Sequence, residues 1–291
     1  GRALRRWLLQ PLLDIKGITA RQETIAELIR EINLRDNLRQ LLRQIYDLER
    51  LSGRAGAGTA NARDLKGLAE SLVRLKELAE LAKQGNSPFL RALQSVPPDL
   101  EELGTKILSY LVESPPQHLG EGGLIRSGVD EQLDQMQETH EKDKQWLAHL
   151  ETSERERTGI PKLKVGYNKT FGYYLSIPRS KADLAPEDYT RKQTLTNEER
   201  YITSELKERE TRILTAKDDL NRLEYEIFAD LRAEVGEKAQ EIRNTSRAVA
   251  AIDALAGLAE LAVYNNYCRP EMEEGRGLTI RDGRHPVVEQ T

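Results

Sequence analysis

One short stretch of this chain alternates like a β-hairpin, although apolar residues elsewhere recur at helical spacing. It covers residues 163–181 and reads LKVGYNKTFGYYLSIPRSK. Apolar residues alternate there with polar or small ones, which is the period of a strand with one buried face. A three-residue loop of Asn168, Lys169 and Thr170 would place six apolar side chains on one face, whereas a two-residue turn would divide them. The predicted pairs are Tyr167 with Phe171, Val165 with Tyr173 and Leu163 with Leu175.

A second pair of strands is predicted in residues 189–203, YTRKQTLTNEERYIT, with a turn near Asn197. The two hairpins together predict a four-stranded antiparallel sheet. The reverse face of the first hairpin would carry Lys162, Lys164 and Tyr174, with Asn168 and Lys169 at its loop.

Two long helical segments flank the strands and predict an arm that carries them. Residues 129–153 have a sparse apolar seam, and Leu206, Ile213, Leu220 and Ile227 recur at intervals of seven after the strands. Such a column is typical of a helix that pairs side by side with another helix. At 1.5 Å per residue, the pair predicts an arm on the order of 40 Å long with the sheet at its tip. The alternative is two ordinary surface helices that do not pair.

The rest of the chain predicts a helical core. Thr19 is the candidate N-cap of one helix and Asn61 of another, and the alanine-rich residues 242–262 predict a helix packed closely among others. The predicted fold is therefore mainly α, a helical core with a long antiparallel helical arm and a small inserted four-stranded antiparallel β-sheet at its tip.

Positive charge is concentrated near the strands, although the net charge of the 291-residue chain is -4. Residues 155–181 hold seven basic side chains, and aromatic residues cluster in the same region. Lysine and asparagine side chains and backbone amides donate hydrogen bonds to phosphate oxygens without reading bases. The sheet is therefore a candidate nucleic-acid surface. A solvated charged face is one alternative, and a protein-interaction arm with aromatic anchors is another.

Motifs for other chemistry are absent from the sequence. Residues 53–60, GRAGAGTA, lack the Lys and Ser/Thr of a phosphate-binding loop and are interpreted as a turn between helices. No His and Cys spacing suits a metal, no nucleophile elbow occurs, and no run of eighteen apolar residues could span a membrane. The single cysteine, Cys268, is expected to be a small buried packing group, as in a reducing compartment. The opening GRALRRWLLQPLL is interpreted as the start of a fragment.

Blocks of this sequence resemble, in order, the middle of the MutS family of DNA mismatch-repair proteins. The resemblance covers nearly the whole chain, and GYNKTFGYY and QTLTNEERYI are its most diagnostic parts. The matching blocks are GRALRRWLLQPLLD, YDLERLSGRAGAGTANARDL, GGLIRSGVDEQLD, ERERTGIPKLKVGYNKTFGYYLSI, DYTRKQTLTNEERYITSELKERE and GRHPVVE.

The resemblance implies a domain organisation. Residues 1–143 and 204–267 would form the helical core or lever domain, residues 144–203 the clamp domain that closes over duplex DNA, and residues 268–291 the start of an ATPase domain. The family's phosphate-binding loop and mismatch-reading domain are expected outside this chain. No catalytic residue, metal or cofactor is expected within it. ATP, Mg²⁺, a second subunit in a homodimer and a cytoplasmic location are implied for the full-length protein.

Six residues are predicted to contact the DNA backbone. The resemblance implies Asn168, Lys192, Thr196 and Asn197, of which Thr196 stands where the family pattern would have lysine. Lys164 and Lys169 are added from their charge alone. The predicted function is sequence-independent binding of the duplex backbone and conformational relay, as part of an ATP-dependent mismatch sensor. The alternative is a protein-interaction arm that docks another protein through the aromatic sheet at its tip.

Overall fold

The structure is a computed structural model that describes residues 2–275 and 277–290, and it is mainly α-helical with one small sheet, as predicted. The helices are α1 Arg2–Leu9, α2 Ile15–Arg30, α3 Ile32–Leu42, α4 Leu48–Gly56, α5 Ala62–Ala82, α6 Pro88–Gln94, α7 Asp99–Tyr110, α8 Glu131–Thr158, α9 Ser204–Glu237 and α10 Ala239–Asn265. The strands are β1 Lys164–Asn168, β2 Gly172–Pro178, β3 Thr190–Thr194 and β4 Glu198–Ile202.

The chain divides into two compact units. The first consists of Gly1–Ser52, Glu70–Gly104 and Lys238–Thr291, and the second of Gly53–Ala69 and Thr105–Glu237. This division follows the density of contacts, whereas the predicted lever, clamp and ATPase boundaries follow the resemblance to a family. Those boundaries stay predictions.

Helix α10 forms the centre of the first unit. It packs against α1, α2, α3 and α6, and the small side chains of Ala251, Ala254, Ala256 and Ala259 are buried in these contacts. Within the described residues it is also the one helix with the length and apolar composition of a membrane span. Its packing against four helices identifies it as the predicted core helix. Beyond its end Cys268 is exposed, so the prediction that this thiol is buried is wrong.

The start of α2 differs from the prediction. Asp14 is the N-cap, because its carboxylate accepts hydrogen bonds from the N–H groups of Lys16 at 3.3 Å and Gly17 at 2.8 Å. Thr19 therefore lies inside the helix and is not its cap. An acidic side chain in the N-cap position also suits the partial positive charge at a helix N-terminus.

Asn61 caps α5 as predicted. Its Oδ1 accepts a hydrogen bond from the N–H of Asp64 at 2.9 Å, and the Asp64 carboxylate accepts one from the N–H of Asn61 at 3.1 Å. This reciprocal pair is a capping box. The preceding segment is only partly a turn, because α4 continues to Gly56.

Helices α8 and α9 form the predicted antiparallel pair in the second unit. They have 28 and 34 residues, which correspond to lengths of about 42 and 51 Å. Their apolar seam is thin, with Leu133, Leu150 and Leu206 buried and Ile213 half-buried.

An ionic cluster replaces apolar packing midway along this pair. Asp143 of α8 is 2% exposed and accepts hydrogen bonds from Arg209 at 2.8 Å and from two nitrogens of Arg212 at 2.8 and 2.9 Å, both on α9. The hydrogen bond from Arg212 is the main reason that the pKa of Asp143 is lowered. The charged cluster fixes the register of the two helices where hydrophobic contacts are few.

The sheet has the strand order β1-β2-β4-β3, with every neighbouring pair antiparallel. In the first hairpin Val165 lies opposite Leu175 and Tyr167 opposite Tyr173, so the loop is residues 169–171. The predicted register is therefore wrong by two residues. A shift by two preserves the alternation of faces, so Leu163, Val165, Tyr173 and Leu175 still share one face. Phe171 does not join them, because it lies in the loop with its ring 5.6 Å from that of Tyr174.

The loop position follows from its backbone. Gly172 has a φ of +83°, which glycine adopts without the steric cost that other residues pay. The Oδ1 of Asn168 accepts a hydrogen bond from the N–H of Thr170 at 2.7 Å, which closes the first half of the loop.

The apolar face of the sheet packs against the end of α8 and the beginning of α9. The cluster includes one buried residue of each helix, Leu150 and Leu206. Its other buried members are Ile160, Leu163, Leu175, Ile177, Tyr189 and Tyr201.

Candidate nucleic-acid interface

The opposite face of the sheet, called the open face below, carries polar and charged side chains. Because side chains alternate along each strand, the register places Lys164, Ser176, Arg200 and Gln193 in one row across β1, β2, β4 and β3. On the same face, Tyr174 lies two positions before Ser176 on β2, and Glu198 lies two positions before Arg200 on β4.

Arg200 is held at the centre of the open face by three contacts. Its guanidinium lies 4.5 Å from the ring centroid of Tyr174, its Nε donates to Glu198 at 2.8 Å, and a terminal nitrogen donates to Gln193 at 3.1 Å. Ser176 donates to the other oxygen of Glu198 at 2.6 Å. The Ser176 hydrogen bond, followed by Arg200 and the charge of Lys164, lowers the pKa of Glu198, so this carboxylate is ionised at neutral pH. The sequence prediction missed Arg200, although its place beside the inward-facing Tyr201 marks it as outward-facing.

The predicted lysines lie on the two edge strands and in the first loop. Lys164 begins β1, Lys169 lies in the first hairpin loop, and Lys192 is the extra residue of a bulge in β3. All three are exposed, and none forms a salt bridge with a described residue. Edge strands commonly carry lysine as protection against pairing with another sheet, so exposure alone does not identify a binding role.

The predicted contact residues do not converge on one point. Asn168 and Lys169 lie at the start of β2, whereas Thr196 and Asn197 lie between β3 and β4, beside the end of β2. Because β2 has seven residues, the two loops are separated by about 20 Å along the strand. Thr196 and Asn197 are exposed, whereas Asn168 is half-buried and uses its Oδ1 within its own loop.

Two of the seven basic side chains in residues 155–181 form ion pairs within the fold. Arg155 pairs with Glu151 at 2.6 Å and donates to the carbonyl of Leu163 at 2.7 Å. Arg157 pairs with Glu154 at 2.8 Å and with Asp188 at 3.1 Å. The count of basic residues along the chain therefore overstates the charge available to a ligand.

Of the six aromatic residues between residues 155 and 202, two are buried, three are half-buried and one is exposed. Tyr189 and Tyr201 are buried, and their hydroxyls donate to Glu154 at 2.6 Å and Glu199 at 2.7 Å. Burial followed by these carboxylate contacts raises the pKa of Tyr201 to about 12 and raises that of Tyr189 further. Tyr167 is 53% exposed, which leaves it as the most accessible ring of the sheet.

One carboxylate from each arm helix holds the first hairpin. Glu151 of α8 accepts a hydrogen bond from the N–H of Val165 at 3.0 Å, and Glu210 of α9 accepts one from the N–H of Tyr173 at 2.7 Å. Glu210 is 2% exposed and also pairs with Lys207 at 2.9 Å. These contacts satisfy strand amides that have no partner strand, and they tie the sheet to the helices that carry it.

No metal-binding arrangement accompanies this surface in the part of the chain that the structure describes. Groups of three or more His, Cys, Asp or Glu side chains in positions to share an ion are absent there.

The comparisons with known proteins agree with this architecture. A family model described as MutS domain III matches residues 1–259. Proteins named DNA mismatch repair protein MutS from Trichodesmium erythraeum, Synechocystis sp. and Trichormus variabilis are 68%, 69% and 69% identical over the whole chain. The chain covers 32%, 33% and 34% of these relatives, so it spans about a third of their length. The chain therefore belongs to the MutS family, as its sequence motifs predict, and corresponds to domain III of that family.

Proposed function

We propose that this chain binds the backbone of duplex DNA, independently of sequence, through the sheet at the end of the α8/α9 arm. In this proposal residues 144–203 are the clamp, residues 1–143 and 204–267 are the lever, and residues 268–291 begin an ATPase domain. The contact residues are Lys164, Asn168, Lys169, Lys192, Thr196 and Asn197.

One observation carries the proposal: Lys164, Lys169 and Lys192 are exposed and form no salt bridge with a described residue, whereas nearby Arg155 and Arg157 do. Phosphate contacts need cations that are free to exchange counterions. The separation of the two loops, about 20 Å along β2, suits contacts spread along a duplex better than a compact ligand pocket.

The same sheet can relay its state to the arm. Glu151 and Glu210 tie the first hairpin to α8 and α9, and Asp143 holds these helices in register. A force on the sheet would therefore reach the helices through hydrogen bonds to charged groups, which are stronger than neutral ones.

For the whole protein we propose the activity that the relatives' name indicates, DNA mismatch repair. Its partners would be double-stranded DNA and a second MutS-like subunit, and ATP with Mg²⁺ would act at sites outside this chain. We place the protein in the cytoplasm. Two arms in a homodimer would raise the effective concentration of one clamp after the other has bound.

The test is charge reversal of the three lysines, read by fluorescence anisotropy of a labelled duplex at low salt. Lys164→Glu, Lys169→Glu and Lys192→Glu together should weaken binding by at least about tenfold, because three phosphate contacts become repulsive. The control variant is Lys16→Glu, Lys83→Glu and Lys217→Glu, three exposed lysines outside the sheet with the same change in net charge. Equal affinity of the two variants would refute the proposal.

A protein-interaction arm remains the second candidate because Tyr167 is exposed on the sheet. The burial of Tyr189 and Tyr201 weakens it, since anchors of such an interface need to reach the partner. Loss of partner protein binding in Tyr167→Ala, with DNA affinity unchanged, would favour this candidate.

A further inference from the structure

The centre of the open face holds a cation that none of the predicted contacts includes. Arg200 lies between Ser176 on β2 and Gln193 on β3, and Lys164 is at the edge of the same row. Two strand spacings separate Lys164 from Arg200, about 10 Å. This spacing allows each side chain to meet a different phosphate of one duplex.

Arg200 is positioned but not fully used by the fold. Its Nε and one terminal nitrogen have acceptors in Glu198 and Gln193, whereas the other terminal nitrogen has no hydrogen-bond acceptor among the described residues. The cation–π contact with Tyr174 and these two hydrogen bonds keep the guanidinium in place. Arginine in this state has donors left for an anion such as a phosphate, and its orientation costs little entropy on binding.

Glu198 is the obstacle to such binding. Its carboxylate is ionised, a third exposed, and shares the open face with Arg200 and Lys164. A phosphate that approached Arg200 would meet this negative charge first, and it would compete with the carboxylate for the same donor.

We propose that Arg200 is a further phosphate-binding residue, at the centre of the open face, and that Glu198 masks it. The inference rests on the proposed DNA-backbone function and adds one contact to it. When a phosphate binds, the Arg200 guanidinium exchanges part of its hydrogen bonding from the Glu198 carboxylate to the phosphate oxygens, while Tyr174 and Gln193 keep the side chain in place. Glu198 thereby limits the affinity of the sheet for DNA.

The experiment uses the whole chain and compares Glu198→Gln, Arg200→Gln and the double variant by anisotropy of a labelled duplex over a salt series. In Glu198→Gln the amide oxygen can still accept from Arg200 and the NH2 group can donate to the Ser176 hydroxyl oxygen, so the variant removes charge with little change in shape. It should bind about three- to tenfold more tightly at low salt, with a salt slope steeper by about 0.9, because one more phosphate is neutralised. Arg200→Gln should bind more weakly, and Glu198→Gln in that background should gain less than about twofold, since the two residues act as a pair.

The control is Glu187→Gln, which removes one exposed carboxylate between the 3-10 helix Arg179–Leu184 and β3, away from the row of Lys164, Ser176, Arg200 and Gln193. A thermal melt confirms that each variant is folded, and Glu198→Ala serves as the second variant if the first melts early. The inference would be overturned if Glu187→Gln raised the DNA affinity as much as Glu198→Gln does, or if neither Glu198 variant raised it. It would also be overturned if Glu198→Gln raised the affinity fully in the Arg200→Gln background.

The outcomes also separate this inference from the proposed function. Loss of binding after reversal of Lys164, Lys169 and Lys192, together with no gain in Glu198→Gln, leaves the backbone clamp in place and removes the role of Arg200. Binding that survives the lysine reversal removes the clamp itself.

Discussion

Replacing Gly172 by alanine should detach the first hairpin from the arm. Gly172 has a φ of +83°, and a Cβ at this position would overlap the carboxylate of Glu210. The left-handed backbone alone costs an alanine about 1–2 kcal/mol. Displacing Glu210 would also remove its hydrogen bond to the N–H of Tyr173, 2.7 Å long, which contributes about 1.5–3 kcal/mol as a bond to a charged group.

The two effects together predict a loss of about 3 kcal/mol in the free energy of local opening of β2. Amide hydrogen exchange of β2 measures this quantity directly, and the loss corresponds to exchange about 100-fold faster. Gly128→Ala is the matched control, because Gly128 has a φ of +86° but nothing within 4 Å of its Cβ position. Gly128→Ala should lower the free energy of local opening around residue 128 by the backbone cost alone.

A second comparison tests whether the carboxylate is the cause. In a chain with Glu210→Ala, the additional effect of Gly172→Ala should shrink to the backbone cost, since the overlapping group is gone. The reasoning is refuted if Gly172→Ala changes the exchange of β2 less than threefold, or if its effect is the same with and without Glu210.

Two further predictions concern the packing of the sheet and the arm. Leu175→Ala, at a fully buried position in the cluster beneath the sheet, should lower the free energy of unfolding by about 2–5 kcal/mol because it leaves a cavity. A loss below about 1 kcal/mol in denaturant unfolding would contradict the packing described. The pKa of Asp143 is lowered, mainly by Arg212, so its contribution to stability is present above the unfolded pKa near 3.8 and is lost as pH falls through the lower folded pKa. Asp143→Asn should therefore flatten the acid limb of a stability profile, and an unchanged limb would show that the cluster contributes nothing.

The alternation of residues fixed which side chains face inward, but it could not choose between two registers. Loops of residues 168–170 and 169–171 place the same side chains on the same face, so parity favours neither. The choice depends on the positive φ of Gly172 and on Glu210. The Glu210 carboxylate accepts a hydrogen bond from the N–H of Tyr173, which lies 37 residues away in the sequence. Sequence pattern carries no direct signal of such a contact.

The number of basic residues in the sequence overstated the charge available to a ligand for a related reason. Arg155 and Arg157 look like Lys164 in a list of basic residues, yet their carboxylate partners Glu151 and Glu154 lie one helical turn away on α8. That spacing could have been used to exclude both arginines from the candidate ligand-binding residues. The partners of Asp143 could not have been found in this way, since Arg209 and Arg212 follow it by 66 and 69 residues.

The helical parts were the most predictable, because their periodicity is long and their apolar faces are buried. The core helix and the paired arm were confirmed, as was the cap at Asn61, whereas Thr19 was the wrong cap because Asp14 offers the same chemistry five residues earlier. Placement in a family came from whole motifs and not from single residues. The role of each contact residue stays a prediction.

The most direct test of the backbone clamp is the salt dependence of binding to matched and mismatched duplexes. If Lys164, Lys169 and Lys192 each neutralise one phosphate, log affinity should fall with log salt at a slope of about -2.7, equally for both duplexes. The triple reversal to glutamate should abolish that slope. A shallow slope in the unaltered chain, or a clear preference for the mismatched duplex, would contradict the account.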